Sequence, residues 1–344
     1  MEQTNRIQGI DLLKSVAIIT IPSQHFFSHH SNFRQASFDS LSMFIQSVGM
    51  EFFLIGVPLF IAITGYLNKE TEPTWHYYKK SLKVIIPYIL ISIIYIFFRK
   101  IYLHESISFI QGMKMILGFN AISYAWYLEM WIGLYFLAPF LNILSNGIKT
   151  SKTSIILIIT LYVMSYLTLT LNREGLKILP SYWSSISPLA SYFIGSHIRK
   201  FGCNISRRNL ILFILIAILA EPTINILFFH GQRYYFIFGI YLLIVPAMFA
   251  SFMLLYNWET PKIWLQRTLA TVSDLTLEMY LYCALCDMML YPFFMKWYVS
   301  QDQFGLFFFV IIPLELLMTF CMAWLTNRFI KIAHINHLWA NSKP

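Results

Sequence analysis

The chain has 344 residues, of which 58% are hydrophobic and only 12% charged, with a formal net charge of +9 and a mean hydropathy of +0.61. A soluble globular protein carries about 25% charged residues, and a soluble chain this apolar would expose more hydrophobic surface than water tolerates. The composition excludes a pair of soluble domains, a disordered chain, a secreted disulfide scaffold and, despite the positive charge, a soluble nucleic-acid binder; the bilayer is the solvent.

A bilayer core of about 30 Å needs roughly 20 apolar residues per helix. On that measure the sequence predicts ten spans, at 10–28, 42–67, 82–99, 124–145, 153–171, 183–199, 209–229, 236–256, 272–294 and 304–328. They are continuous apolar runs rather than short alternating ones, so the expected class is an all-α polytopic membrane protein, not a barrel. The first span has charges within it and no small-residue cleavage site, which reads as a retained helix rather than a signal peptide. The stretch 101–122 is too short and polar to cross, and reads as an external interfacial or re-entrant piece. With no further soluble domain expected, residues 1–344 read as one membrane domain.

Basic residues set the expected orientation. With the N-terminus in the cytoplasm, the cytoplasmic ends hold Arg6, Lys69, Lys79, Lys80, Lys83, Lys149, Lys152, Arg199, Lys200, Arg207, Arg208, Lys262, Arg267, Arg328, Lys331 and Lys343, 16 in all. The external side holds Arg34, Arg99, Lys100, Lys114, Arg173, Lys177, Arg233 and Lys296, which is 8. This bias places both termini in the cytoplasm. The net charge then reflects topology and contact with anionic lipids, and nucleic acid is not an expected partner.

Ionisable residues inside spans are costly and are functional candidates by default. The first span contains Asp11, Lys14 and His25. Lys14 and His25 are eleven residues apart, so a helix returns them to within ~20° of one face, separated by ~16 Å along its axis. Asp11 stands one turn before Lys14, at a spacing that allows a pair, and Pro22 can bend the helix between Lys14 and His25. A snorkelling lysine and a histidine satisfied within the bundle is the alternative reading. His29 and His30 follow as loop residues; no further ligands at fixed spacing accompany them, and no metal is expected.

Before the third span stands Trp75-His76-Tyr77-Tyr78-Lys79-Lys80-Ser81-Leu82-Lys83. Lys80 and Lys83, at i and i+3, share a side of the helix and can hold a phosphorylated ligand as point charges; positive-inside anchoring is the alternative reading of the same spacing. The fourth span opens Ala125-Trp126-Tyr127-Leu128-Glu129, and a carboxylate one turn from two aromatic rings suggests a polar cavity wall. Glu221 precedes Pro222 and is placed to cap a broken helix. Glu278 lies four residues before Tyr282 in the ninth span. Glu51, Asp287 and Glu315 lack such neighbours in sequence and read as structural pairs. Of the four cysteines, Cys283 and Cys286 have C-x-x-C spacing, but within an apolar helix they read as packing residues.

The order of these features resembles the membrane-bound acyltransferase-3 family, the bacterial integral-membrane O-acyltransferases, in its stand-alone form, over nearly the whole chain. Asn5-Arg6-Ile7-Gln8-Gly9-Ile10-Asp11-Leu12-Leu13-Lys14-Ser15-Val16-Ala17 is similar to the family's opening, with Lys14 and His25 at the two positions of its basic-residue-x10-histidine motif. Gly56-Val57-Pro58-Leu59-Phe60-Ile61-Ala62-Ile63-Thr64-Gly65-Tyr66 resembles its second-span signature. Lys80-Ser81-Leu82-Lys83, followed by Ile86-Pro87-Tyr88, resembles its R-x-x-R; lysine keeps the charge without the bidentate fork of arginine. Trp126-Tyr127-Leu128 with Tyr135 and Pro139 resembles the fourth-span pattern. Ser273-Asp274-Leu275-Thr276-Leu277-Glu278-Met279-Tyr280-Leu281 resembles its Ser-x4-[Gly/Glu]-x-Tyr-Leu segment, with Cys283 where the family often has a histidine.

The resemblance implies transfer of an acyl group, usually acetyl from cytoplasmic acetyl-CoA, to a hydroxyl on the far side of the membrane. Lys14, Lys80 and Lys83 would meet the CoA phosphates, and His25 would be the general base. Glu129 or Glu278 would orient His25 or bind sugar hydroxyls, and Trp126 and Tyr127 would contact substrate. The implied partners are acyl-CoA, a glycan or lipid-linked glycan acceptor and membrane lipids, in the bacterial inner membrane. A transferase of a larger acyl group such as succinyl is the alternative within the enzyme class. An ion-coupled secondary transporter is the alternative outside it, since charges at mid-membrane also suit ion coupling.

Overall fold

A backbone surrounded by lipid must satisfy its own hydrogen bonds, and the computed structural model of the chain does so through helices, with no strand among the described residues. The described residues are 6–28, 30, 33, 36–38, 40–68, 72–172, 177–228, 241–333 and 335. Asn5, His29, Arg34, Lys69, Arg173, Arg233, Lys343 and the beginning of the expected eighth span, 236–240, lie outside them. In chain order the helices are α1 Gln8–Ser28, α2 Leu41–Phe53, α3 Gly56–Leu67, α4 Trp75–Lys79, α5 Leu82–Tyr102, α6 Phe109–Leu117, α7 Trp126–Gly147 and α8 Ser151–Tyr162. There follow a π-helical turn at Val163–Leu167, α9 Thr168–Leu171, a 3-10 turn at Ser181–Ile186, α10 Ser187–Phe201, α11 Arg207–Phe228 and α12 Tyr241–Leu255. The last are α13 Ile263–Phe294, α14 Gln301–Phe304 and α15 Phe308–Ile332.

Several starts follow from side-chain caps, in which a hydroxyl accepts an otherwise orphaned backbone N–H. Ser40 caps α2, Thr74 caps α4 and Thr150 caps α8. Ser108 and Gln111 form a reciprocal capping box on α6, the short helix inside the stretch expected to be interfacial. Phe109, Ile110 and Leu117 of that helix are exposed. The loop before it is held by Arg99, whose Nε donates to both carboxylate oxygens of Glu105 at 3.0 Å. This holds the Glu105 carboxyl below its ordinary range.

Six stretches among the described residues are long and apolar enough to cross a bilayer by length and composition: Leu41–Leu67, Trp75–Tyr102, Trp126–Gly147, Arg207–Leu227, Ile263–Trp297 and Gln301–Ile332. Ser151–Leu167 and Leu243–Leu255 are apolar but shorter. α1 has the length, at 21 residues, but its polar content keeps it out of the six. Two boundaries differ from expectation. α13 begins at Ile263, nine residues before the expected span. α11 runs through Pro222 instead of breaking there, and the Asn225 side-chain amide donates to the Glu221 carbonyl at 3.0 Å beside it.

The chain divides into two compact units. Unit 1 comprises 1–69, 142–273 and 297–312. Within it α3 packs against α1, α10 and α12, α10 also against α8, and α11 against α12 and α2. Leu13, Ala17, Leu59, Ala62, Ile194, Met248 and Phe252 are buried in its core. α10 presents a polar stripe to its neighbours: Tyr192 donates to Asn142 Oδ1 at 2.8 Å, Ser196 and Ser145 hydroxyls meet at 2.5 Å, and His197 Nδ1 meets Ser154 Oγ at 2.9 Å. One turn on, Lys200 Nζ donates to the carbonyls of Ser145, Asn146 and Ile148 at the end of α7, where carbonyls run out of helical N–H partners.

Unit 2 comprises 70–141, 274–296 and 313–344. α4 is fastened to α7 by a reciprocal pair: Tyr77 OH donates to the Tyr135 carbonyl at 2.7 Å and Tyr135 OH to the Tyr77 carbonyl at 2.9 Å. Their rings stack at 4.5 Å. Tyr88 OH reaches the Ile116 carbonyl at 2.7 Å, joining α5 to α6. The Tyr282 and Thr326 hydroxyls meet at 2.7 Å between α13 and α15.

The α3–α10 contact depends on two glycines. A Cβ at Gly65 would overlap the Tyr192 backbone, and one at Gly195 would overlap the backbone at Ala62. Gly195→Ala is therefore expected to lower stability by about 1–3 kcal/mol, the usual cost of overpacking, measured by thermal unfolding in detergent. Gly133→Ala on α7, where a methyl would meet nothing within 4 Å, is expected to be neutral or slightly stabilising. Equal effects at the two positions would contradict this packing.

Candidate functional site

α1 is one helix from Gln8 to Ser28, so Lys14 and His25 share an uninterrupted axis. Hydroxyls along it are closed onto its own backbone: Ser15 donates to Asp11 O, Thr20 to Ala17 O and Ser23 to Ile19 O, at 2.8–2.9 Å. That leaves the ionisable groups as its chemically distinctive content. Asp11, expected beside Lys14, is held by Arg6, whose Nε donates to Oδ2 at 2.6 Å and whose Nη2 donates to Oδ1 at 3.0 Å. The same Arg6 nitrogen also reaches the Ala270 carbonyl at 2.8 Å. Arg6 is thus a basic partner of Asp11; in sequence it stands outside the apolar span and carries no sign of that role. Gly9 lets α1 lie against the backbone at Tyr256, while Leu13 and Ala17 enter the core.

Lys14 is half-buried, and His25 is 8% exposed near the far end of the helix. The residues that follow His25 build an aromatic wall. Phe26 stacks on Phe304 at 5.3 Å, Phe27 on Phe308 at 5.5 Å, and Phe53 on Phe308 at 5.4 Å. Phenylalanine side chains offer no hydrogen bond, so water is excluded from that side and polar interactions there are strengthened.

Unit 2 holds the remaining site residues of the sequence reading. Lys80 lies in the turn between α4 and α5, Lys83 in the first turn of α5, and both are exposed. Glu278 on α13 is buried, accepts a hydrogen bond from the Asn327 side chain on α15, and is within electrostatic reach of Lys83 and Asp274. Glu278 and Lys83, to which the sequence reading gives different roles, are thus within electrostatic reach of each other. Trp126 is 53% exposed at the start of α7 and packs edge-on against Tyr127, which is buried. Tyr127 meets Tyr280 edge-to-face at 5.3 Å, and Tyr280 OH donates to the carbonyl of Tyr124. Glu129 is exposed, with Tyr88 its electrostatic neighbour.

One residue escaped the sequence reading. His197 on α10 is a buried histidine tied to Ser154; its span ends in Arg199 and Lys200, and it reads as part of that basic end. Asp287 and Glu315, expected to pair structurally, do so with each other. Cys283 and Cys286 are both buried and free, in keeping with packing roles. Among the described residues, no group of three or more His, Cys, Asp or Glu side chains is placed to hold a metal ion.

An acyltransferase-domain family model matches residues 7–328 of the chain. The chain belongs to the acyltransferase-3 family. With its apolar helices, that membership makes it a membrane acyltransferase, and leaves the transporter reading without a supporting observation. No curated protein and no solved structure matches the chain significantly.

Proposed function

We propose that this membrane acyltransferase is an O-acetyltransferase, moving acetyl from cytoplasmic acetyl-CoA to a hydroxyl of a cell-envelope or exported glycan such as O-antigen or an exopolysaccharide. The observation that carries the reading is α1: a single helix in an acyltransferase-3 chain that bears a half-buried lysine and a buried histidine on one face, ~16 Å apart along the axis. That distance is about half the thickness of a bilayer core. One helix thereby offers a cation for a donor at one membrane boundary and an imidazole for an acceptor beyond the midplane. In the same reading the protein crosses the bacterial inner membrane ten times, with both termini in the cytoplasm.

The chemistry needs one proton moved and one acyl bond exchanged. His25 takes the proton of the acceptor hydroxyl, whose oxygen attacks the thioester carbonyl. The tetrahedral intermediate expels the CoA thiolate as the C–S bond breaks, and the imidazolium returns the proton to sulfur. Imidazole suits both transfers because its ordinary pKa lies near working pH. Lys14, Lys80 and Lys83 are the proposed phosphate partners of CoA, as point charges rather than forks. Trp126 and Tyr127 are the proposed acceptor contacts, and sugars pack readily against such amphipathic rings. Glu129 and Glu278 are the proposed carboxylates of the site; the proximity of Glu278 to Lys83 favours a role on the donor side for Glu278, tempering the positive charge that CoA meets.

His25→Ala is expected to abolish acetylation of envelope glycans, read by mass spectrometry, while the variant still reaches the membrane. Normal acetylation in cells that carry only this variant would remove the general-base role. Replacing Lys80 and Lys83 together with alanine is expected to raise the Kd for acetyl-CoA roughly tenfold, since each phosphate–lysine contact contributes on the order of 0.5–1 kcal/mol at an exposed site. An unchanged Kd, measured by calorimetry in nanodiscs, would remove their phosphate role.

A further inference from the structure

The short helix before α5 presents an aromatic group that acyl transfer, as read above, does not use. Trp75, the first residue of α4, is 82% exposed. The helix that carries it is fixed from behind. Tyr77 and Tyr135 exchange hydrogen bonds from hydroxyl to backbone carbonyl at 2.7 and 2.9 Å, with their rings stacked at 4.5 Å. The Thr74 hydroxyl closes the first turn by accepting from Tyr77 N at 3.2 Å. Lys80 and Ser81 keep right-handed helical dihedrals, so the helical register runs from α4 into α5. At about 100° per residue, Trp75, Lys79, Lys83 and Lys80 fall in that order within an arc of ~140°. Tyr77 and Ser81, both buried, mark the opposite side. Lys80 and Lys83 are exposed and Lys79 is half-buried.

A tryptophan that anchors a span in the headgroup layer has the apolar side chains of that span on its inward side. On the face of Trp75 the inward neighbours are lysines, and the residues before it, Glu72, Pro73 and Thr74, are exposed. A flat ring at the end of a row of cations fits a purine nucleotide. A base stacks on an aromatic side chain through its face, whatever its hydrogen-bonding edge, and lysines meet phosphates as point charges. CoA has this layout, with an adenine, a 3′-phosphate on the ribose, and a 5′-diphosphate that leads to the pantetheine arm and its thioester. Trp75 and Lys83 stand ~12 Å apart along the helix axis, a length that an adenosine and its 5′-diphosphate can follow.

We propose that α4 is the nucleotide platform of the donor site. Trp75 stacks on the adenine of acyl-CoA, Lys79, one turn on, meets the ribose 3′-phosphate, and Lys80 and Lys83 meet the diphosphate. This order sets the base outermost and directs the pantetheine arm along α5, within a stretch long enough to cross a bilayer. The assignment deepens the reading of acyl-CoA as donor and rests on it.

Calorimetry on the full-length protein in nanodiscs tests it with three thioesters: acetyl-CoA, acetyl-dephospho-CoA, which lacks the 3′-phosphate, and S-acetyl-4′-phosphopantetheine, which lacks the nucleotide. Trp75→Leu is expected to raise the Kd for acetyl-CoA about fivefold or more and to leave that for S-acetyl-4′-phosphopantetheine unchanged, while Trp75→Phe keeps most of the affinity. Lys79→Ala, an independent arm, should raise the Kd for acetyl-CoA about threefold and leave that for acetyl-dephospho-CoA unchanged. If Trp75→Leu leaves acetyl-CoA binding as it was, or weakens both thioesters equally as loss of a membrane anchor would, the platform is refuted and the acyl-CoA reading stands. Equal affinity of wild type for acetyl-CoA and S-acetyl-4′-phosphopantetheine has the same meaning. A wild type that binds none of the three refutes the acyl-CoA reading and the platform with it.

Discussion

Hydrocarbon supplies no hydrogen bonds, and every polar group placed within it must find a partner inside the protein. The arrangement of this acyltransferase follows from that constraint. The hydroxyls of α1 close on their own helix. α10 shows its polar side to Asn142, Ser145 and Ser154. Lys200 covers three carbonyls where α7 ends, and Tyr77 and Tyr135 answer each other's backbone. Without a hydrophobic difference between helix and lipid to drive association, close approach and buried polar contacts take its place. That is why Gly65 and Gly195 stand where α3 meets α10.

The same constraint gives meaning to the groups that do carry charge. Lys14 and His25 occupy a helix too polar to rank among the most apolar stretches, and that polarity is the substance of the proposed chemistry. A helix of 21 residues is a ruler about as long as the bilayer core is thick. Residues fixed on it keep their depth difference whatever the surrounding helices do. In the proposed reaction a donor and an acceptor approach from opposite sides and use such a fixed scale, and Phe26, Phe27, Phe53, Phe304 and Phe308 pack together next in the chain to the histidine end.

Much of this was legible in the sequence because lipid imposes simple patterns. Apolar runs marked the helices, and Lys14 and His25 lie on the one helix, Gln8–Ser28, that the first run announced. The stretch 101–122, too short and polar to cross, contains the short helix Phe109–Leu117. What the sequence concealed were partners distant along the chain. Arg6, outside the apolar span, holds Asp11 by two hydrogen bonds, a partner that the span pattern does not mark. Glu278 and Lys83 are about 200 residues apart, and only folding sets them near each other. Asp287 and Glu315 read as paired groups, but that they meet each other was not legible, because a contact between two helices leaves no periodicity. Pro222 signalled a break that α11 does not make, since a proline removes one donor and its neighbours can absorb the loss.

Transfer of an acetyl group across the membrane is the central claim, and reconstitution addresses it directly. Purified protein would be placed in sealed vesicles loaded with acetyl-radiolabelled acetyl-CoA, with an envelope glycan supplied outside. The label should appear on the external glycan as an alkali-labile ester, at a rate proportional to the amount of protein and with stoichiometric release of free CoA inside. Retention of the label inside the vesicles, in the presence of an acceptor that intact cells acetylate, would contradict it.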